Sequence, residues 1–345
     1  MKRMSLFSIF VVLALLAGAC SPAATPTPAP TTAPAAPVQP TTASAATAYP
    51  AAQETPAAAA PTAYPAATSA PAATQPPAAP AVVATIPADK LVQKTKLTFC
   101  TDFPYPPQEF FDDNGNPQGM DVEIANEIAK RVGLQAQFVN TVFDSIIAAV
   151  SGGKCDVIIS AMNITPDRNI KVSMIPYFRA GQSMVVLKGN PKGIKTPLDL
   201  CGQSVAAESG TTEAFYLSGT DVYAGKGLPA ECTKAGKQAV ILVTTQKDSD
   251  ALQQLQAGKV AAYFADSPVA GYYTEQHPEF EIAGDVIEAI EEGINMPCGQ
   301  KDCTKAPLTE VGSAVQAALK SMMDDGTYQK ILDKWGLGTG AIKPK

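Results

Sequence analysis

Arg168 is the residue best placed to bind an anion. It ends the run Thr165-Pro166-Asp167-Arg168, which opens a helix behind a short stretch rich in isoleucine and valine. A guanidinium meets a carboxylate through a planar two-pronged contact that lysine cannot copy, and the N–H groups of a helix start also favour an anion. A surface arginine after a proline turn is the plainer alternative. Asp266 follows the apolar run Ala261 to Ala265 and precedes Ser267-Pro268, so it could accept from an ammonium group or cap the next helix. Ser209-Gly210-Thr211-Thr212 forms a turn before another helix, although glycine-containing turns also arise for backbone reasons alone. The one histidine, His277, precedes Pro278 in a polar stretch and reads as an exposed loop residue. One histidine cannot make a two-histidine zinc or iron site, and no Ser-His-Asp motif contains it. Neither cofactor nor metal is expected.

The elements that must carry these residues alternate. Lys96 to Thr101 reads as a strand, and a turn-rich run, Asp102-Phe103-Pro104-Tyr105-Pro106-Pro107, follows it. A helix begins at Gly119 and Asp121, with apolar positions Val122, Ala125, Ile128, Ala129 and Val132, and ends at Gly133. Gln135 to Val139 is a second strand, a helix from Asp144 through Val150 follows, and Asp156 to Ser160 is a third strand. The pattern restarts at Gln203 to Ala207, continues through Ala239 to Val243, a helix around Leu252, and Ala261 to Ala265; Leu308 to Trp335 is expected to be helical. Strand–helix alternation at this spacing predicts parallel sheets flanked by helices, two α/β units in one chain, with ligands beyond the strand C-termini. A length of 345 residues holds two ordinary domains, and a formal net charge of −6 without a basic patch argues against nucleic acid.

The first 90 residues are of another kind. Lys2 and Arg3 precede the apolar run Leu6 to Ala19, which is too short to span a bilayer and has the length of a secretion-signal core. It ends in Leu16-Ala17-Gly18-Ala19-Cys20, which resembles the bacterial lipobox with Ala17 in the usual leucine position. The expected signal peptide is 1–19, with cleavage exposing Cys20 for lipidation. Ala17-x-Ala19 also fits an ordinary secretory site. Of seven cysteines, removing Cys20 leaves an even number, suited to pairing in an oxidising compartment. Residues 20–90 then read as a tether: nearly all Ala, Pro and Thr, with Glu54 the only charge between Arg3 and Asp89, and with Thr47 to Ala52 repeated at Thr62 to Ala67. Such composition cannot pack a core. In extended polyproline geometry it would reach on the order of 200 Å.

From Lys96 to Gly336 the chain resembles the type 3 extracellular solute-binding proteins of polar amino acid ABC importers. The resemblance is carried in order by Thr101-Asp102 with Tyr105 and Pro107; Gly119-Met120-Asp121-Val122-Glu123; Asp156 to Ser160 with Ile164-Thr165-Pro166-Asp167-Arg168; Ser209 to Thr212; Ala265-Asp266-Ser267-Pro268; and Asp325-Gly326-Thr327-Tyr328 before Lys334-Trp335-Gly336. It implies an α/β, two-lobed periplasmic-binding-protein-like fold (type II), with two parallel-sheet lobes joined by a two-strand hinge. The first lobe would be 91–179 plus 292–345 and the second 180–291. A monomeric, extracytoplasmic, lipid-anchored receptor would close over a free amino acid and present it to a permease in the cytoplasmic membrane.

The resemblance also implies the site. Arg168 would take the ligand carboxylate, assisted by Thr211 and the amide of Thr212, and Asp266 would take the ammonium. Ser160 and Ala161 fall at ligand-contacting positions. Asp102, Tyr105, Phe143, Asn163 and Glu208 would read the side chain, and Asn163 departs from the family's commoner threonine. Two carboxylates, Asp102 and Glu208, lean the choice toward a basic amino acid. Cys201 and Cys232 match a pair common in secreted relatives. Cys298 and Cys303 could close a small loop, while Cys100 and Cys155 either pair or stay as buried thiols. The rival functions are an enzyme on the same fold, a cyclohexadienyl-dehydratase-like protein with Glu208 as general acid, and an amino-acid-sensing module.

Overall fold

A computed structural model describes residues 81–343. The signal segment, Cys20 and the tether up to residue 80 lie outside the described residues. In chain order the described part runs β1 (Lys96–Thr101), β2 (Phe110–Phe111), β3 (Pro117–Gln118), α1 (Met120–Arg131), β4 (Gln135–Asn140), α2 (Ile146–Ser151), β5 (Val157–Ile158), α3 (Pro166–Lys171) and β6 (Ser173–Leu187). It continues through β7 (Ser204–Glu208), α4 (Thr212–Ser218), α5 (Leu228–Lys234), β8 (Ile241–Thr245), α6 (Asp248–Gln256), β9 (Ala262–Asp266), α7 (Ser267–Gln276), β10 (Phe280–Met296), α8 (Glu310–Asp324) and α9 (Thr327–Lys334).

The strand order β4-β1-β5-β10-β6-β9-β7-β8 explains the two lobes. β1 pairs in parallel with β4 and β5, and β7 pairs in parallel with β8 and β9. Between these two parallel units run β6 and β10, antiparallel to each other and long enough, at 15 and 17 residues, to belong to both lobes. Each lobe buries its own apolar set. In the first, Leu97 and Phe99 of β1 meet Ile124 and Ile128 of α1 and Val315 and Leu319 of α8; in the second, Val205, Leu217 and Phe264 pack together. Full burial of one such side chain contributes about 1.5–3 kcal/mol.

Local rules place α1 where the periodicity predicts it. Gly119 has φ 124°, and a Cβ there would lie 2.2 Å from the Gln108 carbonyl oxygen, so only glycine fits the entry to this helix. At its other end Arg131, 2% exposed, bonds Glu127 at 2.8 Å, Ser321 at 2.7 Å, Asp325 at 2.7 Å and Thr327 at 3.0 Å, tying α1 to the C-terminal helices. Three expectations differ in detail. The third strand is only Val157–Ile158, because the Asp156 side chain accepts from Val92 N–H and Thr98 N–H, and Ala161 turns the chain at φ 46°. The C-terminal helical stretch breaks at Asp325–Gly326, where Gly326 takes φ 79°. Packing also begins before Leu91: Val83 N–H bonds Arg131 O at 2.8 Å and Ile86 enters the core.

Disulfides join Cys100–Cys155, Cys201–Cys232 and Cys298–Cys303, with Cα separations of 5.6, 5.7 and 5.5 Å. The first resolves the alternative left open by sequence: Cys155 sits just before β5, which lies beside β1.

Candidate functional site

The loops at the C-terminal ends of β1, β5, β7 and β9 converge between the lobes. They wall a cavity lined by Asp102, Tyr105, Glu109, Phe143, Ser160, Ala161, Asn163, Glu208, Thr211, Thr212, Glu213 and Asp266. Its volume is ≈ 10 Å³, close to what one water needs. The two lobes thus approach closely around it.

At one end the lobes are stitched by hydrogen bonds. Arg168 is 5% exposed; its Nη1 donates to Asn163 O at 2.9 Å and its Nη2 crosses to Gly210 O at 2.8 Å. The guanidinium carbon lies 5.4 Å from the centre of the Phe143 ring, within cation–π range. Thr165 caps α3 by accepting from Arg168 N–H, and Pro166 occupies the first turn, so the helix start fixes where the arginine leaves the backbone. Arg168 is buried beside the cavity rather than among its lining residues. Gln182 Nε2 donates to Thr212 Oγ1 at 2.9 Å, and that hydroxyl donates to Asn163 Oδ1 at 2.5 Å. Thr211 spends its hydroxyl on α4, accepting from Ala214 N–H and donating to Glu208 O.

Asp266 stands at the helix-capping position of α7, yet its side chain makes no capping bond. Instead Oδ2 accepts from the Tyr105 hydroxyl at 2.9 Å across the lobes, while Oδ1 is buried with no partner among the described residues. Burial, reinforced by the nearby Glu213 carboxylate, holds the Asp266 carboxyl well above its ordinary range. Ser160 accepts from Asp102 N–H at 2.9 Å and donates to Glu109 at 2.7 Å. Ala161 keeps its positive φ with its N–H on Asp121 Oδ2 at 3.0 Å. Asp121 in turn takes the Tyr177 hydroxyl at 2.7 Å, and burial raises it to about 7.

At the other end the Asp102 carboxylate accepts from Phe143 N–H at 2.6 Å and from the Lys247 ammonium of the opposite lobe. Burial raises Asp102, and Lys247 pulls against that shift. Glu208 is raised well above the carboxylate range by burial first and the Asp102 charge second.

Of the residues expected to contact a ligand, Asp102, Tyr105, Phe143, Ser160, Ala161, Asn163, Glu208, Thr211, Thr212 and Asp266 line this cavity, and Arg168 lies beside it. Sequence reasoning missed Glu109, Glu213 and Lys247. Glu213 follows Thr212 directly and Glu109 ends the turn-rich loop, so both were near the motifs; Lys247 lies in a polar stretch, Gln246-Lys247-Asp248, that carries no local signal.

This geometry is that of a two-lobed solute-binding protein. The model of the bacterial extracellular solute-binding proteins, family 3, matches residues 97–338, and the chain belongs to that family. The ABC transporter arginine-binding protein 1 of Escherichia coli is 29% identical over 243 residues, covering 70% of this chain and 90% of the relative. The L-cystine-binding protein TcyJ of the same organism is 27% identical over 249 residues, 72% of this chain and 85% of the relative. Among solved structures, an ancestral amino acid-binding protein described as a precursor of cyclohexadienyl dehydratase aligns with a TM-score of 0.59 and 31% identity, covering 72% of this chain and 98% of that one. Among the described residues no helix is long and apolar enough to cross a membrane.

Proposed function

We infer that this chain is a receptor for a basic amino acid. The coarser part of the reading is the family's: it is the extracytoplasmic, amino-acid-binding component of an ABC importer. One observation carries the finer part. Five of the twelve residues lining the cavity are carboxylic acids, Asp102, Glu109, Glu208, Glu213 and Asp266, and none is a cation. Glu109, Glu208, Glu213 and Asp266 each keep a buried oxygen without a partner among the described residues. Burying this many carboxyl groups together is costly, and a ligand with two cationic groups and one carboxylate offsets that cost better than a neutral one.

In this reading Asp266 receives the α-ammonium, and Arg168 turns from the Asn163 and Gly210 carbonyls to the α-carboxylate, with Thr212 and Asn163 beside it. Tyr105 and Phe143 flank the stem, and Asp102 and Glu208 stand at the side-chain end. Ser160, Ala161 and Thr211 complete the wall. Residues 91–179 with 292–345 and residues 180–291 act as the two moving lobes, and closure around the ligand follows from contacts that only the closed form makes. Lipidation at Cys20, a tether from there to the start of packing near Val83, and a monomeric state belong to the same proposal, with delivery to a membrane permease.

Titration calorimetry against arginine, lysine, glutamine, glutamate and cystine tests the ligand, and recovery of the bound compound by mass spectrometry tests the chemistry. One basic amino acid bound tightly and recovered unchanged is the expected outcome. A turned-over compound would favour the enzyme reading, for which the raised carboxyl of Glu208 is the acid.

A further inference from the structure

The side-chain end of the cleft is organised by a residue outside the cavity. Lys247 occupies the turn between β8 and α6, and its ammonium reaches across the lobes to Asp102, with Asn140 Oδ1 at 3.4 Å. Its side chain is 24% exposed against 5% for Asp102, and it is not among the lining residues. The ion pair therefore forms on the more exposed side of Asp102, and the cation that balances this carboxylate comes from outside the cavity.

Glu208, at the end of β7, faces Asp102 from the cavity wall. It is 5% exposed, and its Oε1 has no partner among the described residues. The charged and titratable groups around it are Asp102, Lys247, Asp248 at the start of α6, Tyr263 of β9 and Tyr273 of α7. Asp248 is held by the Tyr263 hydroxyl, so Lys247 supplies the positive charge of this group, and Asp102 uses it. Burial first, and the Asp102 charge second, raise the Glu208 carboxyl well above its ordinary range.

We propose that Lys247 determines specificity: by neutralising Asp102 from outside the cavity, it leaves Glu208 to exchange its proton for the cationic end of a ligand side chain. This rests on the basic-amino-acid reading and adds its mechanism. The Glu208 O–H bond breaks, the proton passes to solvent, and the carboxylate takes the incoming guanidinium or ammonium. The net charge of the subsite is the same before and after. A neutral amide side chain finds Glu208 still protonated and releases nothing. Without Lys247, Asp102 and Glu208 are a coupled pair sharing one proton; the ionised Asp102 then meets the cation, and Glu208 has no reason to ionise.

Calorimetry of the purified full chain with L-arginine and with L-glutamine at pH 7, in phosphate and in Tris buffer, reads the proton directly, because the two buffers differ in ionisation enthalpy. The expected result is release of about one proton with arginine and none with glutamine. Lys247→Met should lose most of that release and weaken arginine about tenfold, with glutamine changed far less. Glu208→Gln, which keeps the Lys247–Asp102 pair, should also abolish the release, and unchanged thermal unfolding shows that either variant is folded. Arginine binding with equal apparent enthalpies in both buffers overturns this inference while leaving the basic-ligand reading intact, as does full proton release in Lys247→Met. A chain that binds glutamine or cystine but not arginine overturns both.

Discussion

The two ends of the cleft are built on different principles. Around Arg168, Asn163, Thr212, Tyr105 and Asp266 the lobes meet through hydrogen bonds, Arg168 to Gly210 O, Thr212 to Asn163 Oδ1 and Tyr105 to Asp266 Oδ2. At Asp102 they meet through an ion pair, with Glu208 next to it, its carboxyl held well above the ordinary range by burial and by the Asp102 charge. The first end suits groups that every amino acid carries, an α-carboxylate and an α-ammonium. Fixed donors and acceptors can serve all of them alike. The second end is a balance of charges that only certain side chains can enter without leaving a charge unpaired. In the proposed reading, class recognition and ligand choice are thus spatially separated.

The sharpest way to break this comparison is Arg168→Ala, which should reduce affinity for any amino acid at least ~1000-fold, as charge-assisted two-pronged contacts imply. Arg168→Lys, which keeps the charge but not the fork, should still lose roughly 100-fold. Calorimetry checks both, and binding that survives in the alanine variant would remove Arg168 from the site. Asp266→Asn should weaken all ligands by a similar factor, about 10- to 100-fold. A loss confined to basic ligands would instead place Asp266 at the side-chain end. Lys247→Met and Glu208→Gln come next, with their effect concentrated on cationic ligands and on the released proton.

The smallest effect is on stability. Asp121, behind the first end, and Asp248, behind the second, are both raised by burial from 3.8 to about 7. Between these values the folded chain keeps protons that the unfolded chain has released. The contribution of both groups is therefore present below about pH 4 and is lost as pH rises through 7. Urea midpoints should fall between pH 5 and pH 8, and Asp121→Asn should flatten that slope. A slope left unchanged in Asp121→Asn would show that Asp121 keeps no proton that the unfolded chain releases.

Much of this molecule was legible before folding. Lys96–Thr101 and the helix from Met120 fall where alternation and periodicity place them, because strand and helix patterns are local. The departures have local causes of a kind that apolar patterning does not register. Asp156 and Ala161 shorten the third strand through a side-chain tie and a positive φ, and Gly326 interrupts a helical pattern that runs through it. Cys100 and Cys155 could be narrowed to a pair or two thiols, since their distance depends on how β5 docks beside β1.

The sequence by itself carried the class: two α/β units, and ordered motifs that put an arginine and an aspartate after strands meeting at one cleft. Those properties follow from composition, from period and from ordered motifs, each read within a few tens of residues. Only the tertiary structure decided the partners. Tyr105 meets Asp266 across 161 residues of chain, and Lys247 meets Asp102 across 145. No local pattern registers a lysine whose charge is used on the opposite lobe. Its role exists only once β6 and β10 have set the two lobes face to face, where burial makes an unbalanced carboxylate expensive and a single ammonium decisive.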